Sequence, residues 1–407
     1  MASATLDIPP HVPRDRVRDV DMYALEGIEE GPHQAWMRIR DDDTPALIWT
    51  PRCGGHWIAT RGAAIKEIYA DYQRFSSDVF IIPKNVGAES GFLPLSLAPP
   101  EHTPYRKAID KILSLARVRP LEDKVRAIAI ELIDKFADKG GCDFASEYAQ
   151  QFPVRVFMAL ADLPVEDIPE LISYAHRMTR PEGSTPEEIA ADLSAGNNGF
   201  LAYADKVIRA RRGKGGADLM SLIADAELDG QPMPIDESVS VSCALLLGGL
   251  DTVVNFLSLV MLHLARHPEN VEELKSDPIV LMRGVEELFR RFPVSAVGRM
   301  VANDIDYDGV RLRQGEMILL PGVFHALDER ETACPMNVDF SRKNFSHSMF
   351  GHGPHRCAGL HLARMEAIVT LQEWLRRIPA FRLREGTTPT YRSGMLAYVE
   401  NLQIAWD

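Results

Sequence analysis

The chain has 407 residues, 25% of them charged, and a formal net charge of −13 at pH 7. That balance disfavours nucleic acid as a partner, because phosphate backbones are bound through clustered Lys and Arg. By length the chain would hold two or three ordinary domains, yet no Gly/Ser-rich linker, low-complexity run or internal repeat divides it. The five cysteines are scattered and odd in number, which fits reducing cytoplasm better than a disulfide framework.

The N-terminal residues Met1 to Pro10 carry no basic stretch and no apolar run, so neither a signal peptide nor an anchor is expected. A β-rich part is predicted at 46–60. Helical periodicity follows over 61–71, 104–115, 120–138, 145–161, 166–178, 186–211 and 218–227, with a loop at the Gly-Lys-Gly-Gly patch 213–216. Asp236 to His267 reads as one long helix with a very apolar centre, long enough to raise the question of a membrane span. Asp251, Thr252, Asn255 and Ser258 in its middle oppose that, because an intramembrane carboxylate is expensive. A helix apolar all round is otherwise the central helix of a large core. Gly248 and Gly249 within it each cost roughly 1 kcal/mol relative to alanine, and they let another group approach the backbone. Thr252 is expected to bond back to a carbonyl and open the helix there. By itself the same block also reads as a kink with a buried Asp paired to Lys or Arg.

Downstream, Glu287 and Arg290 stand at i and i+3 on a helix predicted at 279–292. Strands are expected over 297–320 and 381–405, and a last helix over 360–377. The expected fold is mainly α with a smaller β-sheet region, in a single domain spanning 1–407.

Immediately before the last helix lies Phe350-Gly351-His352-Gly353-Pro354-His355-Arg356-Cys357-Ala358-Gly359. A cysteine at a helix N-terminus has free backbone N–H groups and the positive helix end nearby, both of which favour the thiolate. A thiolate so held suits haem iron. Two other readings remain for the residues alone. Cys357 fits a buried structural cysteine, and His347, His352, His355 and Cys357 fit half of a zinc site, with Cys334 as the one candidate for a second half.

The pattern Phe-x-x-Gly-x-[His/Arg]-x-Cys-x-Gly resembles the haem-binding loop of the cytochrome P450 family, the haem-thiolate monooxygenases. Glu287-Leu288-Phe289-Arg290, Asp339-Phe340-Ser341-Arg342 and Gly248-Gly249-Leu250-Asp251-Thr252 match the family in the same order. So does Pro99-Pro100-Glu101-His102-Thr103-Pro104-Tyr105-Arg106, and the resemblance covers almost the whole chain. It implies haem b ligated by Cys357, and an acid–alcohol pair, Asp251 and Thr252, that directs protons over the iron. It further implies His102, Arg106, Arg299 and His355 at the haem propionates, and a buried Glu287–Arg290 pair completed by Arg342.

Within the family the chain is most similar to the bacterial camphor hydroxylase group, on stretches such as 248–258, 327–331, 333–336 and 338–342. The group implies pocket positions at Ile81, Ser90, Phe92, Leu95, Ala244, Leu247, Ser295, Val297, Met395 and Leu396. Ser90 stands where that group has a tyrosine that holds the substrate ketone. Val297 replaces an aspartate, Ala244 a leucine, and Ser295 an apolar residue. Losing a buried hydrogen bond to a carbonyl costs roughly 1–3 kcal/mol of discrimination. Camphor is therefore expected to be a poor substrate, and a larger apolar terpenoid, such as an ionone-like norisoprenoid, a better one. The resemblance also implies O2 and a [2Fe–2S] ferredoxin with an NADH-dependent reductase as partners. The ferredoxin would meet a locally basic face with Arg342, Lys343, His347, His355 and Arg356. No membrane partner is expected, and the protein is read as a cytoplasmic monomer. The alternatives are a peroxide-driven peroxygenase, against which Asp251-Thr252 argues, and a haem sensor without turnover, for which no output segment is visible.

Overall fold

In the computed structural model, which describes residues 8–83, 92–183 and 185–407, helices dominate and short strands gather into small sheets. Most helix ends fall within a few residues of the periodic segments: Gly62–Ala70, His102–Ile112, Glu122–Asp134, Ile168–Thr179, Pro186–Arg211, Pro278–Arg291 and Leu360–Arg377. The segment predicted as one helix at 145–161 is divided into a π-helical turn, Ala145–Ala149, and a helix, Phe152–Ala161. The 26-residue helix Pro186–Arg211 starts at a capping box, in which Thr185 and Glu188 satisfy each other's backbone N–H. Short helices at Pro32–Met37, Pro268–Ser276 and Gly322–Ala326 were not foreseen, since each is too short to show a period.

The central helix opens beside Thr252, where the sequence suggests. It is two helices, Ile235–Leu250 and Thr252–Arg266, with Asp251 between them at φ −130°, ψ −27°. The carbonyl freed at the break is taken by the Asn255 carboxamide, whose Nδ2 donates to the Asp251 O at 2.8 Å. Asn255, rather than the expected Thr252, supplies this side-chain bond. The run Ile235–Arg266 is apolar and long enough to cross a membrane, but 72% of its most apolar window is buried by the rest of the protein. It is a core helix.

Five strands form the largest sheet, in the order Leu47–Thr50, His56–Ala59, Met317–Pro321, Ala296–Val301 and Phe75–Ser76. His56–Ala59 and Met317–Pro321 run parallel, with Trp57 opposite Ile318 and Ile58 opposite Leu319. The strand Ala296–Val301 sets Val297 opposite Leu320 and Arg299 opposite Ile318. Arg382–Leu383, Gln403–Ala405 and Gly141–Asp143 make a second, three-stranded sheet.

Behind the central helices, Phe256 stacks on Phe289 at 4.1 Å, and Phe289 meets Phe350 at 4.9 Å. Glu287 and Arg290 are fully buried and joined by two hydrogen bonds of 2.7 Å. Arg290 also donates to the carbonyls of Ala326, Pro335 and Asn337, and Arg342 Nε reaches Glu287 at 3.2 Å. A buried charge pair is tolerated when its remaining donors are satisfied in this way. The network pins the segment before the cysteine loop to the helix Pro278–Arg291.

Candidate active site

The cysteine loop is shaped by two glycines in left-handed conformations, Gly351 (φ 63°) and Gly353 (φ 67°). A Cβ on Gly353 would stand 2.7 Å from the Tyr69 carbonyl oxygen, so the loop tolerates no side chain there. The Cys357 N–H donates to the Phe350 O at 2.8 Å, closing the loop on itself just before the helix Leu360–Arg377. Cys357 is exposed and lines a cavity. Desolvation pushes its pKa up, against the Gly359 N–H and the Arg106, Arg356 and Arg364 guanidinium groups, which favour the thiolate. A bound metal cation reverses that balance, because a coordinating thiol is deprotonated outright.

The cavity has a volume of about 360 Å³ and is mostly apolar. Leu95, Ala244, Leu247, Ser295, Val297, Met395 and Leu396 line it as anticipated, and so do Gly248 and Thr252. Ile81 and Phe92 do not line it; each is buried in the apolar cluster alongside. Phe80 lines it in their place, braced edge-on by Phe92 at 5.8 Å. Adjacent aromatic and β-branched residues at 79–82 gave no sign of which one turns inward. Ser90 lies outside the described residues. Phe157 and Thr179 also line the cavity and were missed, since each comes from a helix whose periodicity marked only a core face.

Asp251 is 3% exposed and has no cation partner within ion-pair distance among the described residues. Its Oδ2 accepts from Tyr398 OH at 2.7 Å and from Thr179 Oγ1 at 2.9 Å, and its Oδ1 lies 3.4 Å from Asn255 Nδ2. The kink with an Asp–Arg pair is replaced by a kink with an Asp held by hydroxyls. Arg180 stands over the Tyr398 ring, 4.3 Å from its centroid.

One side of the cavity is cationic. His102, Arg106, Arg299 and His355 all line it. Arg106 donates to the Arg356 carbonyl and pairs with Asp110 at 2.8 Å. His102 and His355 stand ring to ring at 4.5 Å. Burial and neighbouring arginines lower both histidine pKa values, His355 to about 3. Arg299 is 4% exposed and donates to its neighbour's carbonyl, Gly298 O, at 2.8 Å. Its guanidinium lies over the Tyr69 ring at 5.1 Å, and no carboxylate lies within ion-pair distance among the described residues. Burial lowers its pKa. Removing one partner of a buried ion pair typically costs about 3–5 kcal/mol. The His355 Nε2 is also buried and without a hydrogen-bond partner. A buried cation and an unpartnered ring nitrogen on one wall suit an anionic group in the cavity. Haem, with its two propionates, fits that donor set. The zinc alternative does not: among the described residues no group of three or more His, Cys, Asp or Glu converges on a metal position.

The basic face is smaller than the sequence suggests. Arg342 is engaged by Glu287, and His347 and His355 are half-buried, each with its pKa lowered to about 3. Lys343 and Arg356 are the exposed members.

Residues 279–389 match the family described as Cytochrome P450. The chain is 32% identical to the "Probable cytochrome P450 127A1" of Sinorhizobium fredii (strain NBRC 101917 / NGR234), over 99% of this chain and 97% of that one. It is 26% identical to the "Linalool 8-monooxygenase" of Pseudomonas putida, over 96% and 98%. The solved structure "Crystal Structure of CYP101J2" superposes with a TM-score of 0.89 at 38% identity, covering 98% of this chain and 99% of that one. The chain belongs to the cytochrome P450 family, the monooxygenases that use haem b bound through a cysteine thiolate and take electrons from a redox partner to activate O2.

Proposed function

We propose that the protein, a single domain over 1–407, hydroxylates an unactivated C–H bond of a small apolar terpenoid or norisoprenoid of the ionone type. O2 is the oxidant, and a [2Fe–2S] ferredoxin with an NADH-dependent reductase supplies two electrons. The observation that carries the substrate reading is the apolar lining of the cavity, with Ala244, Leu247, Val297 and Leu396 on its walls beside the space the haem would take. A small hydrocarbon skeleton buries its surface there at roughly 25 cal/mol per Å². The relative named for linalool acts on a small terpenoid, which supports the class.

When bound, the haem supplies O2 activation and insertion of one oxygen atom into the C–H bond. Cys357 is its ligand. Arg299 and Arg106 hold the propionates by charge, and His102 and His355 hold them by hydrogen bonds. Asp251 passes protons inward from behind the cavity, and the Thr252 hydroxyl, at the cavity wall, receives and orients them. The apolar walls keep other water out. Lys343 and Arg356 form the docking edge for an acidic ferredoxin. The protein works as a cytoplasmic monomer.

An optical titration tests this. The reduced protein under CO is expected to show the red-shifted band of thiolate ligation. The ferric protein is expected to turn high-spin with ionone and not with camphor. NADH oxidation through a reconstituted ferredoxin chain should yield a hydroxylated ionone. Tight camphor binding with a full high-spin shift contradicts the pocket reading. A CO band typical of histidine ligation contradicts Cys357.

A further inference from the structure

We infer that Thr179 and Tyr398 are positioning residues for proton delivery: their hydroxyls let the Asp251 carboxyl hold and release a proton without moving. This inference rests on the proton-passing role proposed for Asp251.

Thr179 Oγ1 has two acceptors within reach, the Ala175 O at 2.8 Å and Asp251 Oδ2 at 2.9 Å. A hydroxyl carries one hydrogen and two lone pairs, so it donates to only one of them at a time. When Asp251 is ionised, Thr179 donates to Oδ2, and the Ala175 carbonyl falls back on its helix bond. When Asp251 is protonated, the Oδ2–H donates to a lone pair of Thr179, and Thr179 turns its own hydrogen to the Ala175 O. Both states leave every polar atom satisfied, although Asp251, Thr179 and Tyr398 are all buried. Interconversion needs only rotation of one O–H bond. An ordinary buried carboxylate is satisfied in one state alone and resists the other.

Tyr398 OH donates to the same Oδ2 at 2.7 Å. Its hydrogen steadies the ionised form, and the Arg180 guanidinium over its ring adds positive potential. Asn255, bonded to the backbone carbonyl of Asp251, fixes the residue's place at the helix break. In one cycle the Asp251 O–H bond breaks as its proton passes toward Thr252. A proton from water then re-forms that bond, and no electron moves at this site.

Thr179 also lines the cavity, so a substrate contact is the competing explanation, and the test separates the two. Thr179→Val keeps the shape and removes the hydroxyl. In the holoenzyme kcat is expected to fall about tenfold, the scale of a weakened acid–base step. KM and the spectral dissociation constant for substrate stay unchanged, the solvent isotope effect rises, and Thr179→Ser restores the parent values. Tyr398→Phe, which removes a donor only, lowers kcat less than Thr179→Val. Independently of turnover, thermal unfolding of Thr179→Val, Asp251→Asn and the double variant should be non-additive, the pair losing less than the sum. Additive unfolding, a change in KM with kcat intact, or a larger effect of Tyr398→Phe overturns the inference. Asp251→Asn with full turnover overturns instead the role of Asp251 on which it rests. Should Thr179→Val not fold, Thr179→Ala, which also removes the hydroxyl, carries the same kinetic comparison against Thr179→Ser.

Discussion

Gly248 and Gly249 are adjacent in the central helix and have opposite surroundings. A Cβ on Gly249 would stand 2.3 Å from the Phe157 ring, whereas one on Gly248 meets nothing within 4 Å. Gly249→Ala is therefore expected to destabilise by about 1–3 kcal/mol through overpacking, offset in part by helix propensity. In the haem-free chain Gly248→Ala is expected to stabilise by about 0.5–1 kcal/mol while projecting a methyl group into the cavity. Denaturant unfolding of the two variants checks the opposite signs. The sequence showed that something approaches this helix closely, but not that one glycine faces a phenyl ring and the other faces open space. The same limit applies to Ile81 and Phe92, which are apolar and near the cavity but one layer behind it.

Among the elements, the helix Leu360–Arg377 is anchored at both ends, by the cysteine loop at its start and by Glu373 near its close. Glu373 is 4% exposed. Burial raises its pKa, but hydrogen bonds from Arg376, Arg126 and Arg377 outweigh burial and hold it at about 2, below the usual value of 4.5. Arg126 belongs to the helix Glu122–Asp134, so the cluster ties two helices together. A carboxyl whose folded pKa is depressed contributes stability above its unfolded pKa, and that contribution is lost as pH falls through the folded value. The contribution is on the order of 2 kcal/mol after allowance for solvent screening. Glu373→Gln should lower stability at pH 7 and flatten the loss of stability between about pH 4.5 and about pH 2. Unfolding free energies across that range decide it. Helices were the most legible part of the chain, since long periodic segments such as 186–211 and 360–377 fall where expected. The opening of the helix beside Thr252 was legible from the Gly-Gly-Leu-Asp-Thr block, but the groups that hold Asp251 were not, because they are hydroxyls 72 and 147 residues away, on Thr179 and Tyr398. Asn255, four residues on, adds a side-chain bond to the Asp251 carbonyl.

For the molecule as a whole, charge is distributed unevenly. The net charge is −13, yet Lys343 and Arg356 stand exposed near the cysteine loop. Reversing both to Glu is expected to slow electron transfer from an acidic ferredoxin about tenfold at low ionic strength and to flatten its salt dependence. Stopped-flow rates over a salt series measure both. An unchanged, equally salt-sensitive rate would place docking elsewhere. The motif residues that meet at the cavity were legible in advance because cofactor chemistry demands particular side chains at fixed spacing. The substrate-facing wall was less so, because any apolar side chain of the right volume fills it.

Arg299 is the feature with the widest consequence. No carboxylate among the described residues pairs with it, so these residues alone leave a buried charge unmatched. Folding and cofactor supply are then linked by mass action. A newly made chain that has not met haem is the least stable form, and the form that proteases cut first. Cellular abundance of the protein should thus follow haem supply. Pulse–chase half-lives are expected to shorten under haem starvation, and Arg299→Leu, which has no charge to satisfy, should narrow the difference.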